Sequence, residues 1–73
     1  MKKWNDSFGS QRKVGDTTIT IGQQSFFDGT VLVKEADGNV LSLPMYSDES
    51  GNFYFEYNGY GIYISDYLGN FPL

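Results

Sequence analysis

The sequence predicts one all-β domain: a small antiparallel hairpin meander of about six strands that closes into a barrel or a compact sandwich. Three observations carry this. Apolar residues alternate with period two and nowhere with a helical period: Ile19 and Ile21, Val31 and Val33, Leu41, Leu43 and Met45, Phe53, Phe55 and Tyr57, Ile62 and Ile64. Gly, Asp and Asn interrupt these runs at short intervals, as hairpin turns require. Aromatics make up 18% of the 73 residues. A chain this short buries only about 60% of its unfolded surface, so rings that each bury roughly 150–250 Å² are what close its core.

The strands are expected at roughly 8–14, 17–22, 29–35, 39–46, 53–58 and 60–65. Gly15-Asp16 reads as a type II′ turn that sets Val14 opposite Thr17 and aligns Phe8 and Val14 with Ile19 and Ile21. This first hairpin is expected to fold over the face made by the later strands. Val14-Gly15-Asp16-Thr17 resembles the turn phrasing of SH3-like barrels and suits a barrel of that size, although four common residues identify no family. Phe26-Phe27 breaks the alternation and reads as a corner or bulge. Trp4 reads as a plug at the edge of the core.

The later turns share a signature. Glu35-Ala36-Asp37-Gly38-Asn39, Asp48-Glu49-Ser50-Gly51-Asn52 and Asp66-Tyr67-Leu68-Gly69-Asn70 all run acid-x-x-Gly-Asn. A three-residue hairpin loop needs a type I turn followed by one residue at positive φ, which glycine supplies at little steric cost. The first two copies are expected to form this turn, and the third is a weaker instance. With Ala36-Asp37-Gly38 as the loop, Val33 faces Leu41 and Val31 faces Leu43. A two-residue loop would slip the register by one and split the apolar set between faces. The second loop pairs Ser47 with Phe53, Met45 with Phe55 and Leu43 with Tyr57. Asn58-Gly59, a strong two-residue hairpin signal, pairs Tyr57 with Tyr60, Phe55 with Ile62 and Phe53 with Ile64. All three turns agree on one core face: Val31, Val33, Leu41, Leu43, Met45, Phe53, Phe55, Tyr57, Ile62 and Ile64.

Charge and composition exclude several functions. The net charge is −4, and after Val14 Lys34 is the one cation against eight acids. Such a surface repels phosphates and anionic lipid, so neither a nucleic acid nor a membrane is expected as partner. Met1-Lys2-Lys3 leads into Trp4-Asn5-Asp6-Ser7 rather than the apolar run of a secretory leader, and no stretch approaches a membrane span. With no cysteine to report an oxidising compartment, a cytoplasmic location is expected. The glycosylation pattern Asn5-Asp6-Ser7 then carries no meaning. The Asn, Tyr and Lys-over-Arg balance suits a bacterial or phage setting.

Chemistry is sparse as well. Histidine and cysteine are both absent, which removes triads, thiolate nucleophiles and the usual zinc ligands. The adjacent acids Asp48 and Glu49 point to alternate sides of an exposed turn, and neither Gly-Asn turn has the spaced carboxylates of a calcium loop. No enzyme, cofactor or metal is expected.

What stands out is tyrosine. The registers place Tyr46 opposite Tyr54 and Tyr54 opposite Tyr63, in one row on the face away from the core. Glu56 lies in the next row, and Tyr60, Tyr67 and Phe71 come from nearby segments. Cross-strand rings stabilise a sheet by roughly 0.2–1 kcal/mol per pair, a sufficient structural reason for them. Tyrosine is also enriched in interface cores. The expected function is therefore a small acidic protein-binding module, of inhibitor or adaptor type. It would occlude a basic or neutral partner surface through Tyr46, Tyr54, Glu56, Tyr60, Tyr63 and Tyr67. Carbohydrate binding by stacked tyrosines is one alternative, and a self-associating structural subunit is the other.

Overall fold

The computed structural model describes residues 10–73, apart from the side chain of Asp66. Trp4, Phe8 and the Asn5-Asp6-Ser7 pattern lie outside the described residues. Among the described residues eight antiparallel strands follow one another: β1 (Ser10–Val14), β2 (Thr17–Ser25), β3 (Thr30–Lys34), β4 (Val40–Pro44), β5 (Tyr46–Ser47), β6 (Phe53–Tyr57), β7 (Tyr60–Tyr63) and β8 (Asn70–Pro72). A short 3₁₀ turn, Asp66–Leu68, separates the last two. The strands form two four-stranded sheets, β1-β2-β3-β4 and β5-β6-β7-β8, each in chain order. No closed barrel forms among the described residues.

The expected hairpin registers are present. Val33 faces Leu41 and Val31 faces Leu43; Ser47 faces Phe53 and Tyr46 faces Tyr54; Phe55 faces Ile62 and Tyr57 faces Tyr60. Gly38 and Gly51 both have positive φ, 93° and 88°. Each turn closes alike, with the Gly38 N–H donating to the Glu35 carbonyl at 2.9 Å and the Gly51 N–H to the Asp48 carbonyl at 3.0 Å. Asn58 and Gly59 are both at positive φ, as a type I′ turn requires.

Five expectations need correction. The strand expected at 39–46 is divided at Met45: β4 ends with Pro44, paired to Thr30, and β5 begins at Tyr46. The Met45 N–H still donates to the Gly29 carbonyl at 2.8 Å, and the chain then crosses to the second sheet. The expected pairs Met45–Phe55 and Leu43–Tyr57 are therefore not ladder pairs. The fold-over also happens here and not at the first hairpin, since β2 pairs with β3 and extends the first sheet sideways. Phe26 and Phe27 mark neither corner nor bulge: they occupy the β2–β3 hairpin loop, and the bulge lies earlier, between Ile21 and Gln24. The third acid-x-x-Gly-Asn copy is a different loop. The chain leaves the ladder after Tyr63, so the acid falls inside a 3₁₀ turn, and Gly69 adopts φ 73°, ψ −139°.

The fifth correction concerns the core. Val14, Ile19, Ile21, Val31 and Val33 from the first sheet meet Phe55 and Ile62 from the second in one buried cluster. Leu43, Met45, Tyr57, Tyr60 and Ile64 pack around it, half-buried. Phe53 was placed in this core by its period, yet it is 42% exposed. It starts β6 at the end of the inner face and leans on the Phe26 ring, 5.1 Å away. Arg12 is buried although sequence patterning did not single it out. In phase with Val14 on β1, it faces inward opposite Ile19 and donates to the Ile64 carbonyl at 2.7 Å, which ties the first sheet to the second.

Candidate functional site

The outer face of the second sheet gathers four rings. Alternation along β6 turns Phe55 and Tyr57 inward and Tyr54 and Glu56 outward. The registers set Tyr46 and Tyr63 on either side of Tyr54. Ring centroids lie 5.7 Å apart for Tyr46–Tyr54 and 5.8 Å apart for Tyr54–Tyr63, the second pair edge-on. These are the separations and tilts that ring quadrupoles favour. Phe71 on β8 closes the cluster at 5.3 Å from Tyr54 and 5.4 Å from Tyr63.

Phe71 reaches this position because its cross-strand partner is Gly61. A Cβ on Gly61 would lie 2.2 Å from the tip of the Phe71 ring. The glycine thus makes the bed on which the ring lies, and the ring in turn buries the glycine. Glu56, on the other side of Gly61, is exposed and brings a negative charge to the same face.

Of the expected site residues, the fold therefore brings together Tyr46, Tyr54, Glu56 and Tyr63. Tyr60 is directed to the other face and packs against the core. Tyr67 stands 83% exposed on the 3₁₀ turn, without a ring contact to the row among the described residues. Phe71, the fourth ring, is one the registers alone did not place, since β8 is three residues long and carries no alternation to read.

Two tyrosines have a structural task that explains the repeated turn. The Tyr57 hydroxyl donates to Glu35 at 2.5 Å, and Asn39 donates its side-chain amide to the other oxygen of that carboxylate at 2.9 Å. The Tyr63 hydroxyl donates to Asp48 at 2.9 Å, and the Asn52 amide reaches the same oxygen at 3.3 Å. In each turn the leading acid is held by the Asn four residues on and by a tyrosine from the second sheet.

These bonds favour the charged acids and the neutral phenols. Glu35 is held below its ordinary range, first by Tyr57 and then by Asn39. Asp48 is also lowered, chiefly by the Asn52 N–H and further by Tyr63. Tyr57 is pushed up to about 12 by its bond to Glu35, with burial adding to it, and Tyr63 is raised by Asp48. Asp48 Oδ1 also caps the Ser50 and Asn52 N–H groups, and Asp37 Oδ1 caps Asn39. Asp48 and Asp37 are thus engaged with their own backbone, and Glu35 with the Asn39 and Tyr57 side chains. No group of three acids able to hold a metal ion occurs among the described residues.

A shallow depression of about 270 Å³ opens beside the first turn, lined by Thr17, Glu35, Ala36, Asp37 and Tyr57. Among the described residues no helix is long and apolar enough to cross a membrane. No family model, curated protein or solved structure matches the chain.

Proposed function

We propose that the chain is a small acidic protein-binding module, of inhibitor or adaptor type, that covers a partner's surface with the outer face of its second sheet. One observation carries this reading: a contiguous cluster of Tyr46, Tyr54, Tyr63 and Phe71 on a face that holds none of the seven buried hydrophobic residues among those described. Rings that give broad contact at low entropic cost, with Glu56 beside them, suit a basic or neutral protein surface. Binding without chemistry of its own is the activity such a face supports.

The test uses Tyr46→Ala, since Tyr46 is the most exposed ring of the cluster at 42%. The full chain is immobilised, host-lysate proteins that it retains are identified, and their affinity for Tyr46→Ala is measured. A loss of roughly 2 kcal/mol or more with an unchanged melting temperature supports the reading. Unchanged affinity overturns it. Retention of glycans instead of proteins moves the function to carbohydrate binding.

A further inference from the structure

The β2–β3 hairpin carries two phenylalanines where a hairpin loop ordinarily carries polar residues. The Gly29 N–H closes the loop on the Ser25 carbonyl at 2.7 Å, with Gly29 at φ 70°. Phe26 and Phe27 fall at the tip, 59% and 99% exposed. A tip needs turn-forming residues, and neither ring serves the turn. Phe26 lies against Phe53, so the two sheets jointly present a pair of phenylalanine rings at one end of the molecule, and Phe27 follows Phe26 at the tip. Exposed apolar residues scattered singly are ordinary, but a contiguous group marks a contact surface. Local rules are broken where function requires it.

The charges around this end define its partner. Asp28 directly follows the two rings, and Glu49 stands in the turn that leads into Phe53; both are exposed. The described lysines are placed elsewhere. Lys13 on β1 pairs with Thr18 near the start of β2, and Lys34 ends β3, so both lie at the opposite end of the strands that flank this loop, and Arg12 is buried. The end is therefore apolar with an acidic border. A second copy would bring the same acids against each other, and an anionic membrane would be repelled.

We propose that Phe26, Phe27 and Phe53 form a second docking surface, for an amphipathic segment of another protein with an apolar face flanked by Lys or Arg. This surface is separate from the tyrosine face and stands or falls independently of it.

The probe is a synthetic 18-residue peptide of Leu and Lys at amphipathic helical spacing, with a matched Leu-Glu peptide as control. Binding to the full chain is followed by backbone amide NMR. The expected result is micromolar binding of the Leu-Lys peptide that weakens with salt, shifts amides from Phe26 to Gly29 and at Phe53, and falls at least tenfold in Phe27→Ser. The Leu-Glu peptide should not bind. Phe27→Ser should melt like the parent, because nothing of its ring is buried. Absence of binding, equal binding of the Leu-Glu peptide, or affinity unchanged in Phe27→Ser overturns the proposal. Shifts confined to Tyr46, Tyr54 and Tyr63 also overturn it, while favouring the tyrosine face. Sedimentation showing a dimer that Phe27→Ser abolishes assigns the surface to a second copy instead. Cosedimentation with zwitterionic vesicles assigns it to a membrane.

Discussion

The first sheet is apolar inside and largely polar outside, whereas the second carries rings on both faces. In the first, Val14, Ile19, Ile21, Val31 and Val33 face the core, while Gln11, Lys13, Thr18, Thr20, Lys34 and Ser42 face away. In the second, Phe55 and Ile62 face the core and Tyr46, Tyr54, Tyr63 and Phe71 face away. The strands differ in the same sense. The first sheet has strands of 5, 9, 5 and 5 residues, and the second has strands of 2, 5, 4 and 3. Short strands have few ladder hydrogen bonds and are marginal by themselves. Outer rings and tyrosine-to-acid bonds hold together what backbone pairing alone would leave weak. A long strand can leave its outer face to solvent, but a short one needs partners on both sides.

The sharpest way to break this comparison is to truncate one ring on each face of β6. Phe55→Ala should cost about 3–5 kcal/mol and leave so small a domain largely unfolded at room temperature. Tyr54→Ala removes three ring contacts on the outer face and should cost only about 1–2 kcal/mol, read from urea melts. Equal losses would make the outer cluster a second core.

Gly61→Ala comes next. The new methyl must expel the Phe71 ring, so about 1–3 kcal/mol should be lost, with the near-ultraviolet signal of the tyrosine cluster altered. If that signal stays unchanged, Phe71 does not lie over Gly61.

Gly38→Ala and Gly51→Ala should each cost about 1 kcal/mol, because an L side chain is strained at their φ values. The two sites serve separate hairpins, so the double variant should lose the sum. A markedly larger loss in the double variant would show the two turns to be coupled.

The smallest effects are those of pH, and they test the tyrosine-to-acid bonds. Tyr57 is raised from 10.0 to about 12 in the folded state. Its contribution is complete below pH 10 and is lost as pH rises through 12. Glu35 and Asp48 are lowered from 4.5 and 3.8, so theirs is present above those values and is lost as pH falls through the lower folded values. Melting temperature should thus decline at both extremes. Tyr57→Phe should flatten the alkaline limb, and Glu35→Gln with Asp48→Asn the acid one. Absorbance titration of the phenols should show Tyr57 ionising late.

Much of this was legible in the sequence because glycine at a fixed offset from an acid specifies a turn, and the turn specifies a register. Gly51 and Asn58-Gly59 together placed Tyr46, Tyr54 and Tyr63 in one row, and Gly38 set Val31 and Val33 against Leu43 and Leu41. Position along a strand was less legible than phase. Phe53 has the phase of Phe55 but lies one pair nearer the end, where the facing sheet no longer covers it. Arg12 has the phase of Val14, and a cation reads as a surface residue by its charge, although its long stem can line a core while its head bonds carbonyls. The break at Met45 was hidden by an unbroken alternation through Leu41, Leu43 and Met45. Pro44 was the available signal, because proline in a strand marks a sheet edge, and β4 is the edge of the first sheet.

The chain-order pairing of the strands has a consequence for how the protein is made. Every ladder among the described residues joins two strands consecutive in sequence, so none waits for a distant segment to arrive. Topologies rich in local contacts collapse quickly, since little loop entropy is spent before pairing is rewarded. On a ribosome the first sheet would already be complete when the residues after Pro44 emerge, with its apolar face open to water until Phe55 and Ile62 arrive. β5, one turn and the start of β6 separate Pro44 from Phe55, and one further turn leads to Ile62 on β7. The nascent chain would thus carry a partly uncovered inner face while residues Met45 to Ile62 are made, on the order of seconds at roughly 5–20 residues per second.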